Sequence, residues 1–362
     1  MGRNSPRRRN PPNWASHLNL GRAYLPNRDL IVVGASAGGV SALESICASL
    51  PGSFEATVLV VLHTSSNSRG FLADVLNRAG PLTAVYPQDR DVIQKGRIYV
   101  APPDFHMLVE SGCLRLFQGP RENLHRPAID PLFRSAANEY GSRTVGVILT
   151  GLLDDGSSGL ISVKARNGVA VVQDPATALF PSMPKSALEN VPDAYVATLE
   201  QIPPLLARLV NQPAGTAPQP DIAAEREVKY AELDMQQFDS EMPLGESSAY
   251  ACPECGGVLW ETDQHGLLRF RCRVGHAYTA RNLDAEQRIR IETALWAALR
   301  ALEERASLYK RMASTARDRK QELNMRSFAE RASDAHKHAR ILRDLLTKVS
   351  PSPEDQEQEE AA

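Results

Sequence analysis

Few cysteines, no long apolar run and almost no net charge mark this 362-residue chain. Its five cysteines, three of them crowded between positions 252 and 272, are too few and too clustered for a disulfide-stapled secreted scaffold. No apolar stretch approaches the roughly 18–20 residues that cross a bilayer, so no membrane span is expected. A formal net charge of −2 supplies no general basic surface, and nucleic acid is not an expected partner. The N-terminus carries Arg7, Arg8 and Arg9 with no apolar segment behind them, so it does not read as a secretory signal. Residues 1–28 read instead as a disordered basic tail, and a cytoplasmic location is the expectation. There is no internal repeat.

What is present is a chain with 43% hydrophobic residues, enough to bury about two domains. Short β-branched runs at 29–33, 56–62, 97–101, 144–150 and 169–172 alternate with helical patterns at 40–49, 70–78, 130–140, 157–166 and 201–210. Strands that are apolar on both faces, alternating with helices, predict an α/β fold: a doubly wound parallel sheet with helices on both faces, over residues 29–210. Residues 211–248 open Pro/Ala-rich and turn acidic, as a linker does. Residues 249–282 hold the clustered cysteines, and 283–349 carry two apolar stripes of helical period that predict a hairpin. Residues 350–362 form an acidic tail.

The turn Gly34-Ala35-Ser36-Ala37-Gly38 follows the first strand and precedes a helix, and it fits G-x-S-x-G. Small residues permit a sharp strand-to-helix turn that exposes a serine hydroxyl beside the free N–H groups of a helix N-terminus. The competing reading is a glycine-rich phosphate cradle, though neither G-x-G-x-x-G spacing nor a Walker lysine is present. A nucleophilic serine needs a base and an orienting acid. His63 follows the second strand and Asp155 follows the strand at 144–150, and in a parallel sheet all three positions share one edge. His106, His125 and Asp154 remain open alternatives at this point. The order Ser–His–Asp differs from the Ser–Asp–His order of α/β-hydrolases.

Cys252-Pro-Glu-Cys255, followed by Cys272-Arg-Val-Gly-His276, pairs C-x2-C with C-x3-H. Two thiolates on one knuckle and a thiolate plus imidazole on another make half-tetrahedra that suit a structural zinc ion. The redox reading of C-x-x-C leaves Cys272 and His276 unexplained. His265 is a spare ligand candidate on an exposed turn. Arg269, Arg271, Arg273 and Arg281 surround the cluster and read mainly as solvation of a small domain. Cys47 and Cys113 read as ordinary thiols.

The motifs IVVGASAGGV, VVLH, RIYVAPPDFHM, HRPAIDPLFRSAA, GVILTGLLDDGSSGL and QDPATALFPSMPKSA, in that order, resemble the catalytic domain of chemotaxis protein-glutamate methylesterases, the CheB family. The resemblance covers about half the chain. It implies Ser36 as nucleophile, His63 as base and Asp155 as orienting acid, with no cofactor in catalysis. It places oxyanion donors at Ala37 and Leu152. The implied reaction is hydrolysis of γ-glutamyl methyl esters on methylated chemoreceptors or related chemosensory proteins, with glutamine deamidation chemically parallel. Arg126 and Arg134 are expected to meet acidic groups of such a substrate. Ala37 stands where the family often has threonine, and Leu153 where its loop has glycine. Those departures favour the alternative of a catalytically weak adaptor or binding module built on the esterase fold and the zinc–helical region. The family's phospho-receiver domain has no counterpart in residues 1–28, so control by phosphorylation in cis is not expected. The cysteine-bearing half resembles, more loosely, extensions of receiver-less members, and its helices offer a surface for self-association.

Overall fold

The computed structural model describes residues 26–219, 245–264 and 266–348. Most of the basic and acidic tails, the acidic part of the linker and His265 lie outside the described residues.

The first half alternates strand and helix: β1 (Leu30–Ala35), α1 (Gly39–Ser49), β2 (Thr57–Leu62), α2 (Leu72–Ala79), β3 (Thr83–Val85) and β4 (Arg97–Val100). A hairpin of β5 (His106–Glu110) and β6 (Cys113–Phe117) follows. Then come α3 (Ile129–Tyr140), β7 (Thr144–Ile148), α4 (Ser157–Ala165), β8 (Val169–Gln173), α5 (Ser182–Asn190), β9 (Tyr195–Ala197) and α6 (Ile202–Val210). The seven-stranded parallel sheet runs in the order β3-β4-β2-β1-β7-β8-β9. Alternation along β1 shows why its sequence is apolar without a break. Ile31 and Val33 join Leu43, Ile46, Leu76 and Leu206 on one face. Leu30 and Val32 join Leu132, Phe133, Leu160 and Met183 on the other. Each fully buried side chain of this size contributes about 1.5–3 kcal/mol against exposure, so both helix layers are needed to cover the sheet.

Chain direction across the sheet reverses between β1 and β7. Such a switch point opens a crevice at the C-terminal ends of the strands. Ser36 follows β1, His63 follows β2 and Asp155 lies in the loop after β7, so all three reach that crevice. Elements absent from the sequence reading are the three-residue edge strands β3 and β9, too short to show a pattern, α5 with Pro184 in its first turn, and the β5–β6 hairpin.

The second half contains β10 (Glu246–Ala251), β11 (Val258–Gln264), β12 (Leu267–Cys272) and β13 (Ala277–Thr279), an antiparallel four-stranded sheet rather than a bare knuckle. Its core is small: Cys252, Leu259, Phe270, Cys272, Tyr278 and Leu283. Two long helices follow, α7 (Ala280–Asp318) and α8 (Glu322–Lys348). They pack along the expected stripes, with Leu299, Ala306, Ala332, Ala335 and Ala339 buried and Tyr309 stacked on Phe328. Trp296 is half-exposed and donates to Glu292.

Candidate active site

The serine turn is built by backbone pairing that continues past the strands. Ser36 N–H donates to Thr150 O (3.0 Å), and His63 N–H donates to Ala35 O (3.1 Å). Gly38 adopts φ 71°, a left-handed conformation that lets the chain swing from β1 into α1. Gly151 crowds the serine from the neighbouring loop: a Cβ there would lie 2.8 Å from Ser36 Cβ. The Thr150 hydroxyl pins the turn by donating to Ala37 O (3.0 Å).

His63 stands between the other two side chains. Its Nδ1 is 3.1 Å from Ser36 Oγ and its Nε2 is 2.8 Å from Asp155 Oδ2. With the ring proton on Nε2, that nitrogen donates to the carboxylate and the Nδ1 lone pair faces the serine O–H. Burial pushes the His63 pKa down to about 3, so the imidazole is neutral near pH 7.

Asp155 is buried, and both of its oxygens are occupied. Oδ2 accepts from His63 and from Ile129 N–H (2.7 Å). Oδ1 accepts from Asn123 Nδ2 (2.8 Å), Gly156 N–H (3.0 Å) and Asp130 N–H (3.3 Å). Ile129 and Asp130 open α3, so the positive end of that helix faces the carboxylate. Burial raises the Asp155 pKa, and these donors pull against it. The fixed carboxylate in turn fixes the ring.

The remaining candidates separate clearly. Asp154 turns away from His63 and accepts from Thr279 Oγ1 (2.7 Å) and from Asn282 Nδ2. His106 is locked by Pro120 O (2.9 Å) and Ala128 N–H (3.3 Å). His125 lies flat on His63, ring centroids 3.5 Å apart. Among the described residues, neither Ala37 N–H nor Leu152 N–H has a protein acceptor. Leu153 adopts φ 59°, a left-handed conformation of the kind that glycine takes readily, and a branched side chain there is strained by about 1–2 kcal/mol.

Both arginines expected at a substrate are committed elsewhere. Arg134 is a correction: it is 0% exposed, and its Nη2 donates to both Glu122 oxygens at 2.9 and 2.8 Å. A guanidinium enclosed with its carboxylate cannot meet solvent-borne substrate. The Arg126 Nε and Nη2 donate to Asp104 (2.9 and 2.6 Å) and Nη1 to Gly119 O (2.6 Å), which makes it a loop anchor. Arg269 and Arg271 do not solvate the cysteine domain either. They are buried and reach Glu122 at 3.3 and 3.0 Å. Burial would raise the Glu122 pKa, but Arg134, Arg271 and Arg269 outweigh it and hold the group well below the usual carboxylate range. This buried acid, together with Asn123 and Asp130, was missed in the sequence, because no local spacing links position 122 to 269 or 123 to 279.

The cysteine cluster could hold a metal ion. The ligand atoms of Cys252, Cys255, Cys272 and His276 all lie within 4.8 Å of one another. Cys252 Sγ is 3.7 Å from His276 Nδ1, Cys255 Sγ is 3.6 Å from Cys272 Sγ, and Cys272 Sγ is 3.5 Å from His276 Nδ1. A tetrahedron with bonds of about 2.3 Å to sulfur and 2.0–2.1 Å to nitrogen has edges of about 3.5–3.8 Å. Glu254 Oε2 sits 3.2 Å from His276 Nε2, where it orients the ring.

The first half of the chain is similar to known proteins. Residues 31–206 match the family model for CheB methylesterase. Over 184 residues the chain is 40% identical to a putative protein-glutamate methylesterase/protein-glutamine glutaminase of Leptospira interrogans, a match covering 51% of this chain and 95% of that protein. It is 34% identical over 195 residues to the protein-glutamate methylesterase/protein-glutamine glutaminase of Pyrococcus abyssi, taking in 53% of each chain, so it spans about half of that relative. The crystal structure of the Thermotoga maritima CheB methylesterase catalytic domain aligns at 35% identity over 50% of this chain and 98% of that one, with a TM-score of 0.48.

Proposed function

Because the chain belongs to the CheB methylesterase family, we propose that it hydrolyses γ-glutamyl methyl esters on methylated chemoreceptors or related chemosensory proteins, using Ser36, His63 and Asp155. The observation that carries this reading is the contact pair of His63: 3.1 Å to Ser36 Oγ and 2.8 Å to Asp155 Oδ2.

Neutral His63 takes the Ser36 proton as Oγ attacks the ester carbonyl. Asp155 holds the ring and stabilises the imidazolium that forms. To the N–H groups of Ala37 and Leu152, unclaimed by protein acceptors among the described residues, we assign stabilisation of the developing oxyanion. The tetrahedral adduct collapses, and His63 returns the proton to the leaving methoxide, which departs as methanol. Water then attacks the acyl-serine with His63 as base, giving the γ-carboxylate and regenerating Ser36. The same steps applied to a glutamine side chain release ammonia.

The cysteine cluster we assign to zinc in a structural role. Cys252, Cys255, Cys272 and His276 would supply four protein ligands to such an ion, leaving no position for substrate. A core of six buried residues is small, and these ligands, once bound to the ion, would add a cross-link to it. The chain acts in the cytoplasm in this reading; no described helix is long and apolar enough to cross a membrane.

The deciding experiment is methanol release from a methylated receptor fragment by the full chain and by Ser36→Ala. Turnover lost in the variant supports the assignment. A wild-type chain without turnover, or a variant with full turnover, overturns it.

A further inference from the structure

The C-terminal unit meets the esterase half beside the acid of the triad, and one side chain stands between them. Asn123 is 0% exposed. Its Nδ2 donates to Asp155 Oδ1 and to Asp130 Oδ2, each at 2.8 Å. Its Oδ1 accepts the backbone N–H of Thr279 (3.1 Å), the residue joining β13 to α7. An amide turned end for end would set its oxygen against two carboxylates and its NH2 group against an N–H. The two carboxylates and the Thr279 N–H therefore select the same orientation, in which Asp155 receives a donor, and the Thr279 N–H anchors its other end.

The backbone around Asn123 hangs on the same unit. Asn123 N–H donates to Ala277 O (2.8 Å) and Ala277 N–H to Arg121 O (3.3 Å), so Glu122 forms a parallel β-bridge with Ala277 of β13. Asn123 and Leu124 both sit in the left-handed region, at φ 49° and 72°. Such backbone persists only where surrounding contacts over-determine it. Here those contacts are the packing of Leu124 against the cysteine-unit core and the hold of Arg269 and Arg271 on Glu122. The chain then continues directly into His125, stacked on His63, and into Ile129 and Asp130, whose N–H groups bind Asp155.

We infer that Asn123 is a positioning residue for the Asp155–His63 pair, and that the C-terminal cysteine unit supplies the contacts that orient it. The inference rests on the esterase reading given above. If the Thr279 N–H is removed, Asn123 Oδ1 loses its anchor, the amide shifts, Asp155 Oδ1 loses a well-aimed donor, and the carboxylate swings from His63 Nε2. Fewer molecules then hold His63 aimed at Ser36. That lowers kcat and leaves KM unchanged, since no substrate contact is touched.

The test uses the full chain. Thr279→Pro removes the N–H, and φ −76° accepts proline. It also removes the hydroxyl that donates to Asp154 and accepts from Asn282 N–H; Thr279→Val removes the hydroxyl alone. The expected kcat of Thr279→Pro is about 10- to 100-fold below that of Thr279→Val at equal KM. The downfield proton resonance of the His63 N–H bound to Asp155, sharp in Thr279→Val, weakens with it. Asn123→Gly, which tolerates φ 49°, removes the amide and should lose kcat and the resonance in the same way; it decides the matter if the proline variant does not fold. A folded Thr279→Pro or Asn123→Gly that keeps both kcat and the resonance overturns the inference. The resonance needs no substrate. Its loss in the variants of a chain that releases no methanol supports the positioning role while the esterase reading fails.

Discussion

The imidazole of His125 lies on that of His63, ring centroids 3.5 Å apart and planes 13° from parallel. Two stacked imidazoles disfavour a charge on either. Burial lowers the His63 pKa to about 3, and burial together with His63 holds His125 well below its ordinary value. The base is therefore already neutral in acid where an ordinary histidine is half charged. We expect kcat/KM to stay within about twofold from pH 8 to pH 6 and to fall only below about pH 5. An acid limb centred near pH 6.5 would show that the ring is not shielded. Stability follows the same sign: a depressed histidine contributes fully above its unfolded pKa near 6.5 and loses that contribution as pH falls toward 3.

Removing a triad member should abolish turnover and spare the fold. Ser36→Ala and His63→Ala are each expected to reduce methanol release by about 10⁴-fold or more, and Asp155→Asn by about 10⁴-fold. Circular dichroism should be unchanged for Ser36→Ala. Retention of more than a tenth of activity in either of the first two removes them from the mechanism.

The metal assignment predicts one zinc per chain by elemental analysis. Cys252→Ser combined with Cys272→Ser should abolish it, because two of four ligands are gone. Unchanged zinc content in that variant means the ligands lie elsewhere. Chelation of the wild type is expected to lower the midpoint of thermal unfolding.

Glu122→Gln tests the buried charge cluster. Neutralising Glu122 removes one counter-charge that Arg134, Arg269 and Arg271 share, a change worth about 3–5 kcal/mol of stability. Urea unfolding should show it. A loss below about 1 kcal/mol would mean that Glu122 is not what holds these arginines in place.

The chemistry of the site was largely readable along the chain. Each strand end carries its own polar residue, and the apolar runs of β1, β2 and β7 place Ser36, His63 and Asp155 at one edge without reference to anything distant. The choice among histidines was not readable. His63, His106 and His125 all follow apolar or small residues, and only the packing sends one to Asp155, one to Pro120 O and one onto its neighbour's ring. Arg134 was misread for the same reason: a helix position says which face a side chain takes, not what arrives opposite it, and Glu122 arrives from a loop.

Sequence alone determined the alternation of elements, the serine turn, and the spacing of Cys252, Cys255, Cys272 and His276, since periodicity and local spacing are short-range properties of the chain. Only the tertiary structure decided that the cysteine unit seats against the loop at 121–130, that three arginines converge on one buried carboxylate, and that Asn123 links Thr279 to Asp155. The contacts of Glu122 with Arg269 and Arg271 and of Asn123 with Thr279 join residues more than a hundred positions apart, and desolvation and hydrogen-bond geometry select them after the two halves have met.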